Sequence, residues 1–322
     1  MNQKSKKTLD DLLKNIHLDS FENWVKNFAL NLSHIWTEPS ANDLKKIVKN
    51  TKKVAIVIGG GPSIKKHNHL DLLKKSNFNG SIVVVDRMLK TVLEAGITPK
   101  KFPKFFVVSI EPYQRIKKHY NAKIIKRFGP NIKAIFPVII SPKVANQVRK
   151  SKIKIHWLHS LIDLQEGEKS FNQLSSIMIR AKSHHEGLPA IQTGGNVGTS
   201  SWFISWRILK CSTVCLIGIN HGWEEDDSWD KIITHGHEDP SKNTDKISST
   251  VKNSLKKVYN PDFNCISILD PIYQSYSAAL KEFISRSPLS INTINATEGG
   301  SIFGKRITSM TFEKFLNKFG GK

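Results

Sequence analysis

Two rhythms of apolar and polar residues divide this chain. From Leu9 to Asn50 the apolar positions recur at helical spacing: Leu12, Leu13 and Ile16, then Phe21, Trp24, Val25, Phe28, Leu32, Ile35 and Trp36. Ser20, followed by Glu22 and Asn23, reads as the start of a second helix, and Pro39 as its end. From Lys53 onward the rhythm changes to short apolar runs separated by helical segments. The runs at 54–58, 81–85, 105–110, 133–138, 153–158 and 213–217 read as strands. Residues 64–76, 87–95, 112–127, 142–150, 196–210, 247–258, 271–285 and 311–319 read as helices. The first run, Val54-Ala55-Ile56-Val57-Ile58, is apolar throughout and mostly β-branched, as a strand covered on both faces must be. This alternation predicts an α/β protein: a Rossmann-like, mostly parallel sheet with helices on both faces, preceded by an N-terminal helical extension at 1–50. Residues 51–322 form the main domain in this reading, with a lid-like loop at 221–246 and a C-terminal cap at 290–322.

In such sheets ligands bind beyond the carboxyl ends of the strands, and unusual residues stand at several of those ends. Gly59-Gly60-Gly61-Pro62-Ser63 follows the first strand. Glycines let backbone N–H groups approach an anion, and the start of a helix adds partial positive charge, so this turn suits a nucleotide phosphate. It is neither G-x-G-x-x-G nor a Walker loop, and a tight turn without a ligand has the same local sequence. Asp86 ends the second strand and Glu111 the third. A carboxylate there suits ribose hydroxyls or a divalent cation, and the pair suits magnesium. Asp86 equally suits a helix N-cap, and Glu111 a solvated surface. Thr193-Gly194-Gly195-Asn196 opens the helix at 196–210 and is a second anion-type turn. Asn220 and His221 follow the strand at 213–217, where they would meet substrate. The segment 221–246 is polar and acidic and includes His235 and His237, candidate catalytic bases. The stretch from Asn292 to Ile302 reads as a late strand running into the Gly299-Gly300 turn, and Asn295 and Glu298 there are candidates to complete the pocket.

Composition narrows the class. Apolar residues make up 39% of 322, enough for a core, and no apolar run approaches the ~20 residues that span a bilayer. The Lys-rich segment Met1–Lys14 lacks the apolar stretch of a secretory signal. Three cysteines make neither a disulfide framework nor a zinc spacing, which fits a reducing cytoplasm. The formal charge of +22 attracts polyanions. Yet the lysines are scattered, and no basic stripe interleaved with aromatic residues marks a nucleic-acid surface. A non-enzymatic nucleic-acid-binding protein is therefore the weaker alternative.

An ordered series of motifs carries a family likeness. Gly59-Gly60-Gly61-Pro62-Ser63, Val83-Val84-Val85-Asp86, Ala95-Gly96-Ile97-Thr98-Pro99 and Val107-Val108-Ser109-Ile110-Glu111-Pro112 resemble the 6-hydroxymethylpterin diphosphokinase MptE-like family, whose domain is shared with Maf flagellin glycosyltransferases. Thr193-Gly194-Gly195-Asn196-Val197, Leu216-Ile217-Gly218 and Asn295-Ala296-Thr297-Glu298-Gly299-Gly300 continue the match. Glu111 stands where the family mostly has Asp, Asn220 where many members have Asp, and Lys100–Lys104 lengthens one turn. The resemblance implies a nucleotide-dependent transferase with a phosphate on the first glycine turn. One branch moves a diphosphoryl group from ATP to a pterin hydroxymethyl group with Mg2+. The other moves a nonulosonic sugar from a CMP-sugar donor to a protein hydroxyl.

Overall fold

A computed structural model describes residues 3–48, 53–162, 170–227 and 255–320, with side chains from residue 20 onward. Among these residues, nine strands form one sheet: β1 (Val54–Ile58), β2 (Ser81–Val85), β3 (Phe105–Val108), β4 (Lys133–Pro137), β5 (Lys154–Ser160), β6 (Ala190–Ile191), β7 (Thr213–Ile217), β11 (Asn292–Asn295) and β12 (Ile307–Ser309). The order across the sheet is β12-β11-β7-β1-β2-β3-β4-β5-β6, and every neighbouring pair is parallel. The chain thus builds outward from β1 to β6 and then returns to place β7 on the other side of β1. That reversal is the topological switch point, and it leaves a crevice at the carboxyl ends of β1 and β7.

Alternation along the strands explains the two packed layers. Val54, Ile56 and Ile58 of β1, with Ile82 and Val84 of β2, point to one face. There they meet α1 (Gln3–Thr37), α4 (His69–Lys75), α5 (Leu89–Glu94), α6 (Lys123–Phe128), α7 (Pro142–Lys150), α8 (Phe171–Arg180) and α11 (Phe312–Phe319). Ala55, Val57 and Val83 point to the other face and meet α2 (Leu44–Val48), α9 (Val197–Arg207) and α10 (Pro271–Arg286). Burial on both sides is why the strands read as continuous apolar runs.

The N-terminal extension is one helix over Gln3–Thr37, not two. Ser20 caps nothing; its hydroxyl pairs with Tyr113 Oη at 2.8 Å. Asn27 Nδ2 donates to Pro112 O and Ile139 O, and Asn31 Nδ2 to Ile140 O, at 2.7–3.0 Å. These buried amides fasten α1 to the turns that follow β3 and β4.

Three predicted helices differ. Residues 64–76 split into α3 (Ser63–Lys66) and α4, because Asn68 adopts the left-handed region at φ 51°. Residues 112–127 become a 3-10 segment, Gln114–Tyr120, followed by α6. The Tyr120 carbonyl accepts from Ser151 Oγ and Gln147 Nε2, so a tertiary anchor replaces its place in a helical ladder. The helix expected at 247–258 ends in a strand instead: β9 (Lys256–Asn260) pairs antiparallel with β10 (Cys265–Leu269), which also carries β8 (Trp223–Glu224). Pro261-Asp262-Phe263-Asn264 is the turn between them, a hairpin signal the helical reading passed over. The earlier part of that predicted helix and residues 228–246 of the predicted lid lie outside the described residues.

At the C-terminus, where a cap was expected, β11 and β12 extend the sheet and α11 packs under it through Phe312, Phe315 and Leu316. Phe315 is fully buried, its ring 6.0 Å from Phe312 and 4.9 Å from Phe319. Phe315→Ala should lower stability by about 3–5 kcal/mol through the cavity it leaves. Urea midpoints followed by circular dichroism check this; an unchanged midpoint would mean that α11 is not part of the cooperative core.

Candidate functional site

A crevice of about 1190 Å³ opens at the switch point, lined by the turns that follow β1, β2, β3 and β7 and by the first turn of α10. Its floor is the contact between the first and last of these turns. Gly59 N–H donates to Ile217 O and Gly61 N–H to Gly218 O, both at 2.8 Å. No side chain fits between them: a Cβ on Gly61 would lie 2.0 Å from Asn220 Oδ1, and Gly218 sits at φ +65°. Part of the glycine run thus serves loop-to-loop packing. Ser63 is fully buried below the crevice, and its hydroxyl donates to Asn220 Oδ1 at 3.0 Å. It neither caps α3 nor reaches a ligand. α3 has only four residues, so little helix-end charge is available there.

Arg87 supplies fixed positive charge instead. Its Nη2 donates to Gly60 O at 2.6 Å, which lays the guanidinium across the glycine turn. The preceding Asp86 is 4% exposed and lines the same crevice. Its Oδ1 accepts from Arg87 N at 2.7 Å, and its Oδ2 from Ser109 Oγ at 2.6 Å. Ser109 in turn meets the buried Tyr120 hydroxyl at 2.8 Å. Burial pushes the Asp86 carboxyl up to about 6, while Ser109 and the Arg87 amide pull it down; the Glu111 charge adds to the upward push. Glu111 lies at the rim, half exposed, and pairs with Arg115 at 3.2 Å.

The second glycine turn joins from the other side. Gly195 and Asn196 line the crevice, and Thr193 lies just behind, its hydroxyl accepting from Gly195 N. Asn196 caps α9: Oδ1 accepts from Thr199 N at 2.8 Å, and Nδ2 donates to Gly194 O and Thr199 Oγ1. Its side chain serves the helix. Asn220 and His221 line the crevice after β7. Asn295 and Glu298, expected to complete the pocket, do not line the crevice. Asn295 Nδ2 donates to Ile302 O and its Oδ1 accepts from Thr297 N, which shapes the turn after β11. Glu298 pairs with His69 and accepts from Phe312 N, which ties α4 to α11. His235 and His237 fall outside the described residues.

Local motifs did not disclose several lining residues. Tyr273 and Tyr276 stand in the first turn of α10, behind the Asp270 cap and Pro271. With His221 and Trp223 they form an aromatic wall; the Trp223 and Tyr273 rings lie 4.7 Å apart. Two tyrosines spaced i, i+3 just after a capped proline were the available signal. Lys66 pairs with Glu224 and, at 3.1 Å, with Asp226, which holds the β8 turn against α3. His119 lines the crevice too, its imidazole lowered by burial and by the charges of Lys118 and Arg87.

Among the described residues, no three His, Cys, Asp or Glu side chains gather as a metal site. Asp86 and Glu111 both line the crevice, with each Asp86 oxygen accepting from a protein donor and Glu111 paired with Arg115.

Fold and crevice define the class: a Rossmann-like α/β protein with its ligand crevice at the sheet's switch point. The model of the 6-hydroxymethylpterin diphosphokinase MptE-like family matches residues 26–226, more than half of the chain, and the chain belongs to that family. No curated protein matches. Among solved structures, that of a Maf glycosyltransferase from Magnetospirillum magneticum AMB-1 superposes with a TM-score of 0.55 at 14% identity, over 82% of this chain. The chain spans 34% of that protein, and the likeness shows a shared fold. Family and fold together support a transferase-type activity. In the described residues no helix is long and apolar enough to cross a membrane.

Asp86 yields a test of the site's electrostatics. Its folded pKa stands above the model-peptide value of 3.8, at about 6. The folded protein therefore holds a proton there that the unfolded chain releases. This stabilises the fold fully below about pH 4 and is lost as pH rises through about 6. Relative to Asp86→Asn, the wild type should lose up to about 3 kcal/mol between pH 4 and 7, read from urea midpoints. Carboxyl 13C shifts should titrate near 6, and Ser109→Ala should move that midpoint up. A midpoint near 4 would contradict the buried environment.

Proposed function

We propose that this chain is a nucleotide-dependent transferase of the diphosphokinase type. ATP is its donor and the hydroxymethyl group of a 6-hydroxymethyl-7,8-dihydropterin its acceptor. The observation that carries the reading is the meeting of Gly59–Gly61, Arg87 and Asp86 in one crevice at the switch point. The glycine turn and Arg87 suit the donor's phosphates, since a guanidinium fixed by a backbone carbonyl neutralises charge without reorganising. The aromatic wall of Tyr273, Tyr276 and Trp223 offers a face for a flat ring.

In the reaction the pterin hydroxyl oxygen bonds to the β-phosphorus, the bridge to the α-phosphate breaks, and AMP leaves. The hydroxyl proton must pass to a base. Asp86, ionised for the most part above about pH 6, is the buried acceptor in the described crevice. His235 and His237 are the alternatives on the segment beyond. Asp86 and Glu111 are the side chains that would hold a divalent cation arriving with the phosphates. Such an ion supplies charge neutralisation on the transferred group.

One observation favours a second reading, a Maf-type glycosyltransferase that uses a CMP-nonulosonic acid and a protein-hydroxyl acceptor. The likeness to the Maf structure covers 82% of this chain, beyond the residues 26–226 of the family match. Donor preference separates the two. Calorimetry with ATP and with CMP-sugar, each with and without magnesium, should show binding of one. Arg87→Met should weaken it by roughly tenfold or more. AMP release with the pterin supports the diphosphokinase, and CMP release supports the sugar transferase. Failure of both donors to bind rejects the nucleotide reading.

A further inference from the structure

Asn220 is held with unusual completeness for a residue at a crevice. Ser301 N–H donates to its carbonyl at 2.8 Å, and Ser301 Oγ reaches the same oxygen at 3.3 Å. Its side-chain Oδ1 accepts from Ser63 Oγ at 3.0 Å. Gly61 lies against that oxygen so closely that no Cβ is tolerated. Ser63 Oγ donates to the amide oxygen, which leaves the Nδ2 end facing away from Ser63. The other end, Nδ2, is buried and has no hydrogen-bond partner in the protein. The residue is 2% exposed, yet it lines the crevice between the β1 and β7 turns.

A buried N–H donor without a partner is costly, and proteins keep few of them. An amide whose oxygen is held by Ser63, whose donor has no protein partner and whose residue lines the crevice points to an acceptor supplied from outside. Arg87, Lys65, Lys66 and Lys74 line the crevice among seven carboxylates, and Arg87 lies across the adjoining glycine turn. We propose that Asn220 Nδ2 is the anchor for an anionic oxygen of the ligand, a phosphoryl or carboxylate oxygen, and that Ser63 is the positioning residue that keeps the amide donor turned toward it. This deepens the transferase reading and rests on it. A carboxylate at 220 would offer acceptors to a cation; an amide offers a donor to an anion, so this residue shifts the crevice from metal binding toward direct anion binding.

The experiment uses the full chain and three probes: inorganic pyrophosphate, free N-acetylneuraminic acid, and ATP or CMP, whichever nucleotide binds. Asn220→Asp keeps the shape and the acceptor for Ser63 but replaces the donor with negative charge. It should weaken binding of the anionic probe by roughly tenfold or more. Ser63→Ala should weaken it less, and Ser63→Thr should restore it. Pyrophosphate sensitivity assigns the oxygen to a phosphate, and sensitivity to the sugar acid alone assigns it to a carboxylate. Should Asn220→Asp fail to fold, the side-chain amide resonance of Asn220 in the wild type decides: it must shift as the probe is titrated in. An unmoved resonance, or unchanged affinity in folded Asn220→Asp, overturns the anchor and leaves the transferase reading standing. A wild type that binds neither probe nor nucleotide overturns both.

Discussion

Everything at this site depends on two backbone turns lying in direct contact. β1 and β7 are neighbours in the sheet but far apart in sequence, and their turns must leave the sheet side by side. The hydrogen bonds Gly59 N to Ile217 O and Gly61 N to Gly218 O carry the strand ladder past the end of the strands. A side chain on Gly61 would enter the Asn220 amide, and one on Gly218 would enter Gly59 O. The glycines therefore bring the turns together first, and the crevice exists because the turns then diverge. This gives glycine-rich strand ends a physical role that precedes any ligand: they set the width at which a ligand could enter.

That constraint sorts the charges. The chain carries +22 overall, but the groups that matter at the crevice are few and fixed. Arg87 is clamped to Gly60 O, Lys66 is taken up by Glu224 and Asp226, and Asp86 is buried between a backbone amide and Ser109. Scattered surface lysines raise the general attraction for anions and are screened within about 10 Å at 0.1 M salt. The buried Asp86 carboxyl is screened far less. The net charge thus has more to do with encounter than with recognition, which agrees with the absence of a patterned basic stripe in the sequence.

How much of this could be read from the sequence follows from the range of each interaction. β1, β2 and β7 came through with their bounds as expected, since runs of four or five consecutive apolar residues have few other uses. The convergence of Gly59–Gly61, Asp86, Glu111, Gly195 and Asn220 on one rim followed from the parallel-sheet rule alone. All the misreadings but one are long-range. Ser63 stood in a phosphate-type turn until Asn220, 157 residues away, took its hydroxyl. Glu298 looked like a pocket residue until His69 and the amide of Phe312 engaged it. Gln114–Tyr120 looked helical because nothing local discloses that the Tyr120 carbonyl bonds to Gln147 and Ser151. The β9–β10 hairpin was the exception, since Pro261-Asp262 marked it locally.

The architecture also explains why one domain type can be associated with two chemistries. One side of the crevice is built from the ends of β1, β2 and β7, whose turns interlock and leave little room for variation. The opposite side comes from Tyr273 and Tyr276 of α10 and from Trp223 and Glu224 of β8. Trp223 and Ile268 form their own minor apolar cluster with Tyr273, apart from the two layers that cover the central sheet. A wall packed on its own small core can change its side chains without disturbing the interlocked strand ends. The crevice therefore joins the fold's most constrained element to one of its least constrained, an arrangement that lets one wall vary while the other is kept.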